Sequence, residues 1–212
     1  MDTFAYRRGL RTLTIARDVA LTMARFIHEE YRRGTLWTNL QGLPKAVINR
    51  EMSWAELLEE RATQIPDKYF LLYQDEKITY RQMDINANRT AHLLHKLGGD
   101  KGKGLGIFVK NSPRYLDCFF GAQKIGMYIV PLNAELKGDG LRYVIDHSDI
   151  EYLVIDAELM EPFLAVKDTL PKLKGIIVND CEPEGRDIAI PDGLVRLSDA
   201  ASLSGANPGV GY

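Results

Sequence analysis

The stretch from Gly106 to Asp156, GIFVKNSPRYLDCFFGAQKIGMYIVPLNAELKGDGLRYVIDHSDIEYLVID, constrains the fold of this chain more than any other. Three short runs in it, Gly106 to Val109, Tyr128 to Leu132 and Tyr152 to Ile155, are continuously apolar or β-branched. A strand with one wet face alternates and a strand covered on both faces does not, so the pattern predicts parallel strands at the centre of a layered sheet. The longer segments between them carry apolar residues at helical spacing. Tyr115, Leu116, Phe119, Phe120, Ala122 and Ile125 form the first stripe, and Leu141, Val144 and Ile145 the second. Asn111-Ser112-Pro113 offers an N-cap hydroxyl with proline at the first helical position, and Gly126 a stop. Strand, helix, strand, helix, strand with right-handed crossovers follows.

The flanks extend the same architecture. Ser53-Trp54-Ala55-Glu56 and Thr79-Tyr80-Arg81-Gln82 are capping boxes. The first opens a helix with Trp54, Leu57, Leu58, Ala62 and Ile65 inward. The second opens one with Tyr80, Met83, Ala87, Ala91 and Leu94 inward, ended by Gly98-Gly99. Tyr69 to Tyr73 and Lys77 to Thr79 read as a hairpin. Asp156 is an N-cap candidate for a helix carrying Leu159, Phe163, Val166 and Leu170. Gly175 to Val178 reads as a fourth buried strand, and Leu194 to Leu197 as a short one. The expected fold is α/β, a largely parallel sheet flanked by helices, with three regions: a helical extension and connector over 1–50, an α/β subdomain over 51–200, and a linker or cut loop over 201–212.

A net charge of −2 gives no electrostatic case for nucleic acid, and no nucleic-acid motif accompanies it. The two cysteines, Cys118 and Cys181, have no CxxC spacing and read as reduced structural thiols. With no membrane-spanning run and no signal peptide in the sequence, the expected location is cytoplasmic. Residues 10–33 read as an amphipathic helix, with seven arginines between Arg7 and Arg33. That helix suits either packing on its own domain or a partner, or peripheral contact with a membrane.

Few residues here bear chemistry. His92 and His95 share a helix face without a third ligand, so no metal site is expected. Gly102-Lys103-Gly104-Leu105-Gly106 precedes a strand, whereas a dinucleotide fingerprint follows one, so it reads as the turn feeding the first central strand. Pro131 and Asn133 lie just past a strand's carboxyl end, where open α/β sheets place ligands, and are the candidates for substrate contact. Arg114 and Lys137 stand near helix starts and read as solvated charges that are also able to meet an anion. Tyr115, Phe119 and Phe120 read as core before acyl pocket.

Five motifs occur in one order: Ile78-Thr79-Tyr80-Arg81-Gln82-Met83, Asn86-Ala87-Asn88-Arg89, Asn111-Ser112-Pro113, Gly121-Ala122-Gln123-Lys124-Ile125-Gly126 and Val130-Pro131-Leu132-Asn133. Together they resemble the N-terminal part of the adenylate-forming superfamily, above all the fatty acyl-CoA synthetases of the long-chain, very-long-chain and fatty-acid-transport type. The resemblance implies a parent that joins a fatty acid to CoA with ATP and Mg2+. It also implies a Ser/Thr/Gly-rich phosphate loop ending in Pro-Lys, a Tyr-Gly-x-Thr-Glu stretch, a ribose-binding aspartate and a C-terminal lysine, none of which occurs in these residues. The chain is accordingly expected to be an inactive N-terminal fragment with no catalytic residue and no cofactor of its own, self-associating through an exposed apolar surface. A short interaction module, or an independent nucleotide-binding domain, are the alternatives.

Overall fold

Two hydroxyls fix where the helical layer starts. Ser53 Oγ accepts from the Glu56 N–H at 3.1 Å while Glu56 Oε2 accepts from the Ser53 N–H at 2.7 Å. Thr79 and Gln82 repeat the exchange at 3.2 and 2.9 Å. Each pair satisfies two donors that a helix start leaves open, so α1 (Trp54–Gln64) and α2 (Tyr80–Lys96) begin where the capping boxes put them. Between them lies an antiparallel hairpin of β1 (Tyr69–Tyr73) and β2 (Glu76–Thr79). The structure, a computed structural model, describes residues 28, 29, 31, 32, 53–181, 190, 191 and 193–210. The helix expected over 10–33 and the connector to residue 50 fall outside the described residues, apart from four helical positions among 28–32. The chain divides into two units, Met1–Met52 and Ser53–Tyr212, and the second carries the sheet.

It continues with β3 (Gly104–Phe108), α3 (Pro113–Gln123), β4 (Tyr128–Pro131), α4 (Gly138–His147), β5 (Tyr152–Asp156), α5 (Met160–Lys167), β6 (Gly175–Asn179) and β7 (Val195–Arg196). The last five strands form one parallel sheet in the order β4-β3-β5-β6-β7. β3 and β5 are buried along their whole length, as their unbroken apolar runs require. Leu105, Ile107 and Val154 meet Ala91 and Leu94 of α2 and Cys118 and Ala122 of α3 on one face. On the other, Phe108, Leu153 and Ile155 meet Leu141 and Ile145 of α4 and Phe163 and Val166 of α5. Each large side chain buried in these clusters contributes about 1.5–3 kcal/mol.

Several expectations need correction. Tyr128 to Leu132 is the partly exposed edge of the sheet and not its centre. Pro131, which cannot donate to a ladder, suits an edge strand. Gly104, expected in the turn, joins Gly106 in β3: a Cβ on Gly104 would collide with the Tyr128 ring, and one on Gly106 with Ile150. Trp54 is 63% exposed, because α1 turns Ala55, Leu58 and Glu59 toward its neighbours instead. Ser112 stands at the N-cap of α3 but its side chain caps nothing. Residues 203–210, expected as linker or loop, lie along α2. Asn88 Nδ2 donates to the Gly205 carbonyl at 2.8 Å, His92 Nε2 to the Ala206 carbonyl at 3.0 Å, and Asn207 Nδ2 to Glu59 Oε1 at 2.7 Å. Leu203 and Val210 pack against the core.

The three helices on this side meet over a charge. α2 and α3 approach so closely that a Cβ on Gly121 would lie 2.9 Å from Thr90 Cβ. At the end of α3, Lys124 is fully buried and pairs with Glu59 of α1 and, at 2.8 Å, with Asp84 of α2. A buried ammonium is tolerated only when paired, and removing one partner strands the others. Lys124→Met, which keeps the length and removes the charge, is expected to cost about 3 kcal/mol. Adding Glu59→Gln and Asp84→Asn recovers part of that loss, as urea unfolding of both variants will show.

Candidate functional site at the carboxyl edge of the sheet

The order β4-β3-β5-β6-β7 sends neighbouring strands to opposite faces. β3 exits into α3, in the cluster with α2, whereas β4 exits into α4, in the cluster with α5. Chains parting this way leave a crevice beyond the strand ends. A cavity of 470 Å³ lies there, walled by Val109, Lys110, Asn111 and Tyr115 after β3 and by residues 131–135 after β4.

Both substrate candidates line it. Pro131 ends the edge strand, and Asn133 begins a turn in which its Oδ1 accepts from the Glu135 N–H at 3.0 Å while its carbonyl accepts from Leu136. The side-chain oxygen of Asn133 is therefore engaged in shaping the turn. Tyr115 also lines the cavity, while Phe119 and Phe120 face the core, so the aromatic set divides. Burial, followed by the neighbouring Cys118, pushes the Tyr115 phenol up, so it remains a donor at neutral pH. Arg114 lies outside the lining and pairs with Asp117 at 3.1 Å. Lys137 is the exposed N-cap of α4. His92 and His95 donate to separate carbonyls, of Ala206 and Gly99.

Sequence reasoning missed Lys110 and Glu135, the charged members of the wall. Lys110 Nζ pairs with Glu158 Oε1 at 2.8 Å. With that cation offset and Glu135 adding a negative charge, the wall has no positive excess to hold a phosphate. Its chemistry is that of a seat: apolar surface from Val109, Pro131 and Leu132 beside the amides of Asn111 and Asn133 and the phenol of Tyr115.

The adjoining strand ends are tied together. Asp156, nearly fully buried, accepts from the Lys110 N–H at 2.8 Å and from Asn179 Nδ2 at 2.7 Å, joining β3, β5 and β6. Its carboxylate thus serves this clasp and not the helix cap expected of it. A polar residue ending each of two buried runs, Asp156 after YLVI and Asn179 after GIIV, was the available signal. Cys118 sits beneath this edge as a free, fully buried thiol. Burial and then the Asp117 charge raise its pKa well above the ordinary thiol value, which makes it inert.

Asp180, just past β6, titrates in the acid range. Its burial acts to raise its pKa, but hydrogen bonds from the Ser198 hydroxyl at 2.7 Å and N–H at 3.0 Å, together with Arg196, outweigh that and hold it below the usual carboxylate range. A depressed folded-state pKa stabilises the fold above the unfolded-state value, and that contribution disappears as pH falls through the folded one. Asp180→Asn is therefore expected to lose less stability than the native chain as pH falls below the ordinary carboxylate value of about 3.9, a difference read from urea midpoints.

Three comparisons place this geometry among known proteins. A family model described as AMP-binding enzyme matches residues 58–200. Bacitracin synthase 1 of Bacillus licheniformis is 27% identical over 92% of this chain and 4% of its own length. Long-chain fatty acid transport protein 2 of Rattus norvegicus is 34% identical over 54% of this chain and 18% of its own. The inhibitor-bound N-terminal domain of FACL13 from Mycobacterium tuberculosis superposes with a TM-score of 0.62 at 25% identity, covering 74% of this chain and 37% of that one. The chain spans from 2% to 23% of the length of such curated relatives. Residues 58–200 hold the whole parallel sheet and the helices that pack on it, and on that match the chain belongs to the AMP-binding enzyme family, in the portion it shares with the acyl-CoA ligases.

Proposed function

We propose that this chain supplies the first α/β layer of an ATP-dependent ligase that joins a fatty acid to CoA. In that reaction the carboxylate displaces pyrophosphate from ATP to give an acyl adenylate, and the CoA thiol then displaces AMP. The observation that carries the reading is the coincidence of the family match with the residues that build the sheet and its open crevice. The match to the rat fatty acid transport protein supports a fatty acid as the acid.

ATP, Mg2+ and CoA belong to the parent ligase. The cavity wall does not fit a magnesium-bound triphosphate: its lysine is paired, and among the described residues no three of His, Cys, Asp and Glu converge as metal ligands. The chain's own contribution is therefore a seat for an uncharged part of a reactant, with Pro131 and Asn133 at its rim, and the chain by itself forms no adenylate. Among the described residues no helix is long and apolar enough to cross a membrane; contact through residues 10–33 is the form of membrane association proposed. The exposed side chains of Trp54, Tyr69 and Leu72 supply the apolar surface through which copies self-associate.

The similarity to 4-hydroxybutyrate–CoA ligase 2 of Metallosphaera sedula, 31% identical over 58% of this chain and 22% of its own length, favours a second reading, ligation of a short hydroxy acid in place of a fatty acid. Both readings meet one test, pyrophosphate release by this chain fused to the remainder of the rat relative. Palmitate-dependent release at least about 100-fold above either part alone is the expected result. Release driven only by 4-hydroxybutyrate supports the second reading, and no release with any acid overturns both.

A further inference from the structure

α3 starts without the usual anchor. Ser112 occupies its N-cap, yet the hydroxyl caps no N–H and is buried without a partner. The segment Lys110–Asn111, which walls the cavity, therefore gains no hold on the helix from that side chain.

Two ties arrive from the hairpin instead. The Tyr73 hydroxyl donates to the Asn111 carbonyl at 2.8 Å. Glu76 Oε2 lies 3.9 Å from Arg114 Nη2 in the first turn of α3, and the same guanidinium holds Asp117 at 3.1 Å. Tyr73 and Glu76 flank the hairpin turn, whose Gln74 has φ 49°. The base of the hairpin is fixed: Phe70 packs edge-on against Tyr80 and Phe120, with centroids 5.2 and 5.7 Å away, and Leu71 joins the cluster of Leu58, Ile78 and Met83. A tip with an immobile base acts as a bracket on whatever it touches.

We infer that Tyr73 and Glu76 are positioning residues for the cavity, setting the distance between the wall after β3 and the wall after β4. The role rests on the reading of the cavity as a seat for a reactant. Neither residue lines the cavity; both act through Asn111 and Arg114.

The test uses Tyr73→Phe, which removes one hydroxyl, and Glu76→Gln, which removes one charge, in the 212-residue chain. Amide exchange by NMR at Asn111, Ser112, Arg114 and Tyr115 is expected to quicken by about threefold to tenfold in Tyr73→Phe, and less in Glu76→Gln, while β5 and β6 keep their native exchange. General destabilisation would quicken both regions together. Coenzyme A, ATP and decanoate are then titrated separately, with the side-chain amides of Asn111 and Asn133 observed. The reactant that shifts them in the native chain is expected to bind Tyr73→Phe at least about threefold more weakly. Native exchange at 111–115, quickened exchange throughout, or equal affinity overturns the positioning role and leaves the cavity reading standing. No shift with any of the three overturns the cavity reading and the positioning role with it.

Discussion

A buried ammonium organises the helical side of this molecule. Lys124 has no solvent of its own, so its charge dictates that two acidic residues reach it, and the helices carrying Glu59 and Asp84 must arrive in one relative setting to do so. Apolar contacts alone, such as those of Leu58, Met83 and Phe120, tolerate small rotations of one helix against another. An ion pair between fixed groups does not. The lysine also stands at the C-cap of α3, where its N–H donates to the Phe120 carbonyl at 3.0 Å.

The setting of α3 carries forward to the other end of that helix. Its first turn receives the chain from β3, while β4 delivers its chain to the opposite face, and the parting of the two produces the cavity. Asp156 satisfies the Lys110 N–H and Asn179 at once and ties together the ends of β3, β5 and β6. The lining of this cavity is closer to neutral amide and hydrocarbon than to a phosphate grip.

Much of the architecture was legible because its signals are local. Capping boxes, unbroken apolar strands and the glycine after α3 each act within a few residues, and Gly126 takes φ 71° as a left-handed stop should. What escaped depended on partners far along the chain. Trp54 was placed inward by periodicity, but the phase of α1 answers to Glu59, whose partners Lys124 and Asn207 lie 65 and 148 positions away. Nothing in the run YIVPL separates an edge strand from a central one except its proline. At the site, Pro131 and Asn133 were readable from strand position, whereas Lys110 and Glu135 entered the wall only through the direction in which two loops leave the sheet.

The segment that lies along α2 has a consequence for anyone recombining this domain with a relative. Gly205 sits where a Cβ would be 3.0 Å from Ile85, and its carbonyl is read by Asn88, so helix and segment form a matched lock and key more than a hundred residues apart in the chain. A chimera that exchanges residues 80–96 and keeps 203–210 from the other parent joins two surfaces that never evolved together. Crossover points that respect this fold keep those two stretches from a single parent.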